Sequence, residues 1–399
     1  MKLQAYPLNW AFHTALRNRA TRWHRQQLPG IEQLTAIEAA YPLDYYQPVW
    51  PLRVAQFIFA CVGLVMAAGL SYLVTDYSPL ASGILFCTAC FGVLERLILK
   101  RRFYHSGVDN ALLYSGLCAA SGLIGYVFFA YFWSDTVNDN NFRFGNIYGA
   151  IPLLLVLNLL VAAAIRYADA LVTAVALFAT LLLVAIVSSQ TPLGTALLPF
   201  LVMATAGGTL VLQRYLSRRL AGTQLADYYA SCLLMLKTLS LAMFYLGGNY
   251  LVVHEGNAAI YYLSEPAPIP FALIFYVLTA GIPLVYIVLG LRRADRPTLL
   301  VGLLALAFSI FTLRYYRLLM PPEVAAVVAG VLLTVAAGAL LRALRPARFG
   351  LTSLPDDEPR HFNLENLIQA QTAHAPGSPA TGFEFGGGQS GGGGATGQF

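Results

Sequence analysis

Two arginines at a spacing of three, Arg314 and Arg317, close the apolar run that begins at Thr298, and Glu323 follows them. On a helix that spacing puts both guanidinium groups near one face, where each can clamp a carboxylate or phosphate through two hydrogen bonds. Earlier in the chain Gly247-Gly248 interrupts another apolar run just before Asn249, with His254 and Glu255 close behind. A break of that kind is tolerated at membrane depth where the backbone faces protein or a wet cavity. Asn249, His254, Glu255, Arg314, Arg317 and Glu323 therefore form a candidate ligand pocket. The same residues also suit an internal polar set that ties their helices together.

Lys237 lies near the centre of the run 226–246. A lysine there costs about 2.5–3.5 kcal/mol on insertion scales, which makes it a candidate ligand residue. The structural alternative is a lysine that snorkels or pairs with Glu95. Function requires a cavity beside the ammonium; the alternative does not. A second polar set, Glu95, Arg96, Asp109 and Asn110, is placed to form a knot at one face of the bundle, pairing charges and fixing helix register. Ser106, three residues before Asp109, suits a helix N-cap with a capping-box partner. Cys87 and Cys90 have redox or metal-pair spacing, but inside an apolar run they read as small residues on one helix face. The six histidines are scattered, and no hydrolase, P-loop or zinc signature is present. Asp169 and Asp227 fall near the ends of runs, not in facing pairs within them. No catalytic residue, metal site or cofactor is assigned, and the reading leans away from an enzyme.

The elements that must position these residues are membrane-spanning helices. Of the 399 residues 58% are hydrophobic and only 11% charged, against about 25% charged in an ordinary soluble domain. Mean hydropathy is +0.63. Ten apolar runs are long enough to span a bilayer, at about 53–75, 79–99, 107–133, 146–165, 168–188, 192–215, 226–246, 268–291, 297–318 and 323–342. Alternate connections collect the basic residues: Arg17 to Arg53, Arg96 to Arg102, Arg166, Arg214 to Arg219, Arg292 to Arg296, and Arg342 to Arg348. This positive-inside pattern predicts an all-α polytopic bundle with both termini cytoplasmic. The net charge of +6 sits at run ends rather than in a patch, so nucleic acid is not expected as a partner.

Residues 1–50 read as a cytoplasmic helical lead with an apolar stripe of Leu8, Phe12, Leu16 and Trp23. Its basic face suits an anionic leaflet or the loops of its own protein. The bundle occupies 51–345. Residues 346–399 read as a disordered polar and Gly-rich cytoplasmic tail, either a bare tether or a recognition segment with Phe383, Phe385 and Phe399 as its contact points.

The stretches Glu38-Ala-Ala-Tyr-Pro42, Phe103-Tyr-His-Ser-Gly-Val-Asp-Asn-Ala-Leu-Leu-Tyr114, Phe244-Tyr-Leu-Gly-Gly-Asn-Tyr-Leu-Val-Val-His254 and Phe308 to Val324, taken in order, resemble a family of uncharacterised inner-membrane proteins of Bacteroidota. The resemblance covers most of the chain and implies a bacterial inner-membrane location without a known activity. The ending Phe385-Gly-Gly-Gly-Gln-Ser-Gly-Gly-Gly-Gly-Ala-Thr-Gly is similar to the C-termini of TPM-domain membrane proteins, which implies a shared envelope context. Three readings of function follow: an envelope scaffold or interaction protein with membrane partners bound through the tail, a secondary transporter of a small anionic solute, or a membrane-embedded enzyme. A wet cavity reaching Lys237 favours the second; a tightly packed bundle favours the first; a lipid-facing cleft with paired acid and base favours the third.

Overall fold

The computed structural model describes residues 3–25, 28–132, 147–261 and 271–317, and scattered helical positions between 327 and 342. All its regular elements among these residues are helical. Two short helices, α1 (Leu8–Arg25) and α2 (Ile31–Ala40), precede the bundle. The bundle runs through α3 (Trp50–Val74), α4 (Pro79–Arg101), α5 (Val108–Val127, extended by a π-helical turn Phe128–Phe132), α6 (Ala150–Tyr167), α7 (Ala170–Ser188) and α8 (Pro192–Leu220). It continues with α9 (Gln224–Tyr228), α10 (Ala230–Gly248), α11 (Tyr250–Tyr261), α12 (Ala272–Arg292) and α13 (Arg296–Arg317). Among the described residues nine helices are long and apolar enough to cross a membrane. Their outward side chains are large and apolar: Phe59 is 82% exposed, Leu273 78% and Leu304 71%. That surface is stable against hydrocarbon, and the chain is an integral membrane protein with a polytopic all-α fold.

The helix starts follow local chemistry. Ser78, Asp169 and Thr191 are N-caps whose side chains accept from Ala81, Val172 and Gly194 backbone N–H groups, and proline opens α4 and α8. Helices in lipid gain little from burying apolar surface against one another and depend on close approach instead. The α12–α13 hairpin illustrates this: a Cβ on Gly290 would lie 2.8 Å from the Leu299 backbone, so only glycine lets the two helices pack there.

Two differences from the expected spans stand out. The run 226–246 is divided by a short α9, and α10 stops at Gly248; Asn249 then takes an extended conformation before α11 begins. The segment 250–261, expected as part of a pocket-lining connection, is a helix of its own. The run 323–342 and the tail 346–399 lie almost wholly outside the described residues.

The helix ends and hinges at 96–107, 166–169, 214–229 and 292–296, with the N-terminal lead through Arg53, carry most of the chain's basic residues; this is called the basic end below. The lead is bound to it. Ala5 N donates to Arg166 O at 2.9 Å, Tyr46 N to Arg102 O at 2.9 Å, and Arg19 pairs with Asp227 at 2.7 Å. The buried face of α1 is Trp10, Ala11 and Ala20, with Trp23 half exposed. The expected stripe of Leu8, Phe12, Leu16 and Trp23 is therefore displaced. The reason is Tyr6 and Trp10, which insert among Tyr104, Tyr45 and Leu94 in one core with α4, α5, α6 and α7. Burying Trp10 away from water stabilises the docked lead by roughly 2–3 kcal/mol.

Candidate anion-binding cavity

Lys237 stands two turns into α10 from the basic end. Its ammonium donates to Asp295 Oδ2 in the α12–α13 hinge, not to Glu95. Asp295 also accepts from Thr298 Oγ1 at 2.6 Å, and its carbonyl accepts from Leu299 N at 3.0 Å as α13 starts. It thus caps α13 and neutralises Lys237 at once. Burial would raise the Asp295 pKa, but the hydrogen bonds from Lys237 and Thr298 outweigh it and hold the carboxyl below the usual range.

A cavity opens beside this pair. Its outer part, about 440 Å³, is lined by Gln213, Arg214, Ser217 and Arg218 of α8 together with Lys237, Arg293 and Asp295. An inner part of about 160 Å³ shares Gln213, Arg214, Lys237, Arg293 and Asp295 and continues along Leu210, Leu241, Phe244, Tyr286 and Leu289. Phe244 lies beyond the midpoint of α10, so the cavity reaches well into the bundle. Arg214 and Arg218 are one helical turn apart on α8 and face the same space; they and Arg293 are exposed. Four cationic side chains and one carboxylate surround the outer chamber. In a partly enclosed site with low-dielectric walls such an excess attracts anions, and guanidinium groups bind carboxylate or phosphate bidentately. Of these residues only Lys237 stands out in the sequence as a ligand candidate. Arg214, Arg218 and Arg293 read there as topology markers, and Asp295 shows itself only as an acid just before Arg296-Pro297 in an otherwise basic hinge.

The chain matches no family model, no curated protein and no solved structure. Its chemistry is therefore read from its own geometry.

The expected pocket around Asn249 takes a different form. Asn249 is fully buried. Its Oδ1 accepts from Leu251 N (3.0 Å) and Val252 N (3.3 Å), and its Nδ2 donates to Tyr245 OH (2.8 Å) and Thr312 Oγ1 (3.1 Å). The amide replaces the hydrogen bonds lost where α10 breaks and ties α11 to α13 through Thr312 rather than through Arg314. His254 lies 3.7 Å from Glu255 and stacks on Tyr250. Arg314 is half-buried near the end of α13; the Arg317 side chain and Glu323 lie outside the described residues. Beside the break, Pro199 and Val202 of α8, Leu246 and Gly247 of α10, Val253 of α11 and Phe275 line an apolar chamber of about 460 Å³.

Glu95, Arg96, Asp109 and Asn110 do not form a single knot. Glu95 accepts from Arg166 (2.8 Å) and Tyr167 OH (2.8 Å) on α6, while Arg96, one residue on and roughly 100° around the helix, is exposed. Asp109 is fully buried and accepts from Tyr6 OH (3.0 Å), Ser106 Oγ (3.1 Å), Gly107 N (3.1 Å) and Asn110 N (3.0 Å). Gly107, not Ser106, occupies the N-cap of α5 at φ +101, and a Cβ there would sit 2.3 Å from Arg53 O. Asp109 thus starts α5 and holds the lead, while burial lowers the pKa of the adjacent His105. Cys90 packs against Gly116 of α5, and Cys87 donates to the Gly116 carbonyl. Among the described residues no three His, Cys, Asp or Glu side chains are grouped to hold a metal.

Proposed function

We propose that this integral membrane protein is a secondary transporter that admits an anionic solute from its basic end. The observation that carries the reading is the cavity beside Lys237, ringed by Arg214, Arg218 and Arg293 and extending past the middle of α10. Lys237 and Asp295 form the internal ion pair that an incoming anion competes with, and the arginines supply the attraction. The positive-inside pattern supports a cytoplasmic basic end, and the resemblance of the sequence supports a bacterial inner membrane. The envelope-scaffold reading rests on the tail, which lies outside the described residues. The enzyme reading finds no facing acid and base among the described residues that line the apolar chamber.

The test is binding and flux. Purified protein in liposomes should be stabilised by millimolar phosphate or a dicarboxylate, and should exchange labelled anion across the membrane. Arg214→Gln with Arg293→Gln should abolish both while leaving the unfolding midpoint without anion nearly unchanged. Stabilisation equal in wild type and the double variant would remove the cavity as the site. Orientation is checked by labelling single cysteines at Lys100 and Gln190, which should react from opposite sides.

A further inference from the structure

The cavity is amphipathic along its length, and this narrows what it binds. Its outer chamber is polar and cationic, with Arg214, Arg218 and Arg293 at the rim. Its inner chamber keeps Arg214 and Arg293, loses Arg218, and adds the apolar wall of Leu210, Leu241, Phe244 and Leu289. A small hydrophilic anion would leave that inner wall facing water. From this gradient we infer that the ligand is an anionic amphiphile, a phosphoryl-bearing lipid head group held by the arginines with the first part of its chain in the apolar throat. The inference rests on the anion reading above and specifies the substrate class for the same site.

The sizes agree with it. The outer chamber, about 440 Å³, has ample room for a glycerophosphate-sized group with several waters. The inner part, about 160 Å³ including its charged side, is close to the ~150 Å³ cavity that accepts a benzene ring, so its apolar wall can cover a chain of at most about six carbons. Basic pockets between spanning helices on the side rich in arginine are where anionic head groups dock. Guanidinium forks suit a phosphate's oxygens, and the planar groups of α8 and the α12–α13 hinge approach from two sides. Lys237 remains bound to Asp295 at the back of the chamber, so the ligand meets the arginines first and the ammonium only after Asp295 is displaced. Farther along α8 and α10 the 460 Å³ chamber, closed by α7, α11 and α12, offers a second apolar volume of about three times the inner part.

The experiment compares lipid with soluble anion on the full-length protein. Native mass spectrometry and thermal shift are run with phosphatidylglycerol, phosphatidylcholine, glycerol phosphate and inorganic phosphate. Phosphatidylglycerol should bind at least a hundredfold tighter than glycerol phosphate and at least tenfold tighter than phosphatidylcholine. Arg214→Gln with Arg293→Gln should cost at least tenfold for phosphatidylglycerol. Leu210→Trp, which fills the throat, should weaken phosphatidylglycerol at least tenfold and leave glycerol phosphate unchanged; Leu289→Phe serves if Leu210→Trp misfolds. Glycerol phosphate or phosphate binding as tightly as lipid, insensitive to either throat variant, overturns the amphiphile and leaves the anion reading standing. Equal binding of both lipids, unaffected by the arginine variant, is bulk solvation and overturns it too. No binding by any of the four overturns the amphiphile, and if a dicarboxylate also fails to bind, the anion reading falls with it.

Discussion

Replacing Asn249 with alanine should destabilise the bundle without touching the anion cavity. The magnitude follows from what the amide does. Its Oδ1 caps α11 through Leu251 N and Val252 N, and losing such a cap costs about 1 kcal/mol. Its Nδ2 bridges to Thr312 on α13, and an interhelical hydrogen bond in a membrane bundle is worth about 0.6 kcal/mol. The donation to Tyr245 OH within the same strand of helix adds a similar amount, so the total is about 2 kcal/mol. The Thr312 hydroxyl has a single proton and a second acceptor in Phe308 O, so it stays satisfied when the amide is gone; that is why the cost is not larger. The assay is reversible unfolding in mixed micelles, with Asn158→Ala as the control. Asn158 is exposed and donates only to Leu154 O on its own helix, so its loss should cost under about 0.5 kcal/mol. If Asn249→Ala and Asn158→Ala prove equally mild, the amide does not hold the break. If Asn249→Ala keeps full stability but loses anion binding, its role is that of a ligand and the argument from its hydrogen bonds is wrong.

Three further outcomes are expected. Asp295→Asn should cost about 1 kcal/mol at pH 7, the worth of a partly exposed pair; because the folded carboxyl titrates below its unfolded value near 3.9, the pair's contribution is complete above that value and is lost as pH falls through the folded one, so the stability gap between wild type and Asp295→Asn should hold at neutral pH and close only as the pH falls below about 3.9. Tyr6→Phe should loosen the lead by about 1.5 kcal/mol, a charge-assisted bond to Asp109, seen as roughly tenfold faster tryptic cleavage between Arg17 and Arg25; burial first and Asp109 second raise the Tyr6 pKa, so its contribution is intact below about pH 10, declines above it, and has no counterpart in Tyr6→Phe. Gly107→Ala should lower the unfolding free energy by several kcal/mol or prevent accumulation, since the new Cβ meets Arg53 O at 2.3 Å with φ at +101; a free energy within about 0.5 kcal/mol of wild type would mean that the turn relaxes freely.

The helices were readable because hydrocarbon imposes one rule on every span: long, apolar, with backbone bonds closed internally. The partners of the polar residues were not, because they depend on which hinges meet. Glu95 finds Arg166 and Tyr167 across the α4–α6 contact, and Lys237 finds Asp295 across the α10–α13 contact; both pairings join positions far apart in sequence. The Gly-Gly-Asn interruption did mark a real break, but α11 has the length of a short soluble helix and a mixed composition, so it resembled a connection. The basic hinges carry the deepest lesson. Counted along the chain, Arg214, Arg218 and Arg293 serve only to orient the spans, a role in which each is interchangeable with any other cation at that end. The cavity breaks that equivalence. Arg219 and Arg292 belong to the same hinges and contribute equally to topology, yet neither lines the chamber. If the basic residues are there only for orientation, neutralising Arg219 with Arg292 should affect anion binding as much as neutralising Arg218 with Arg293. If the chamber is a site, only the second pair should matter, and the difference between two double variants of identical net charge isolates geometry from charge.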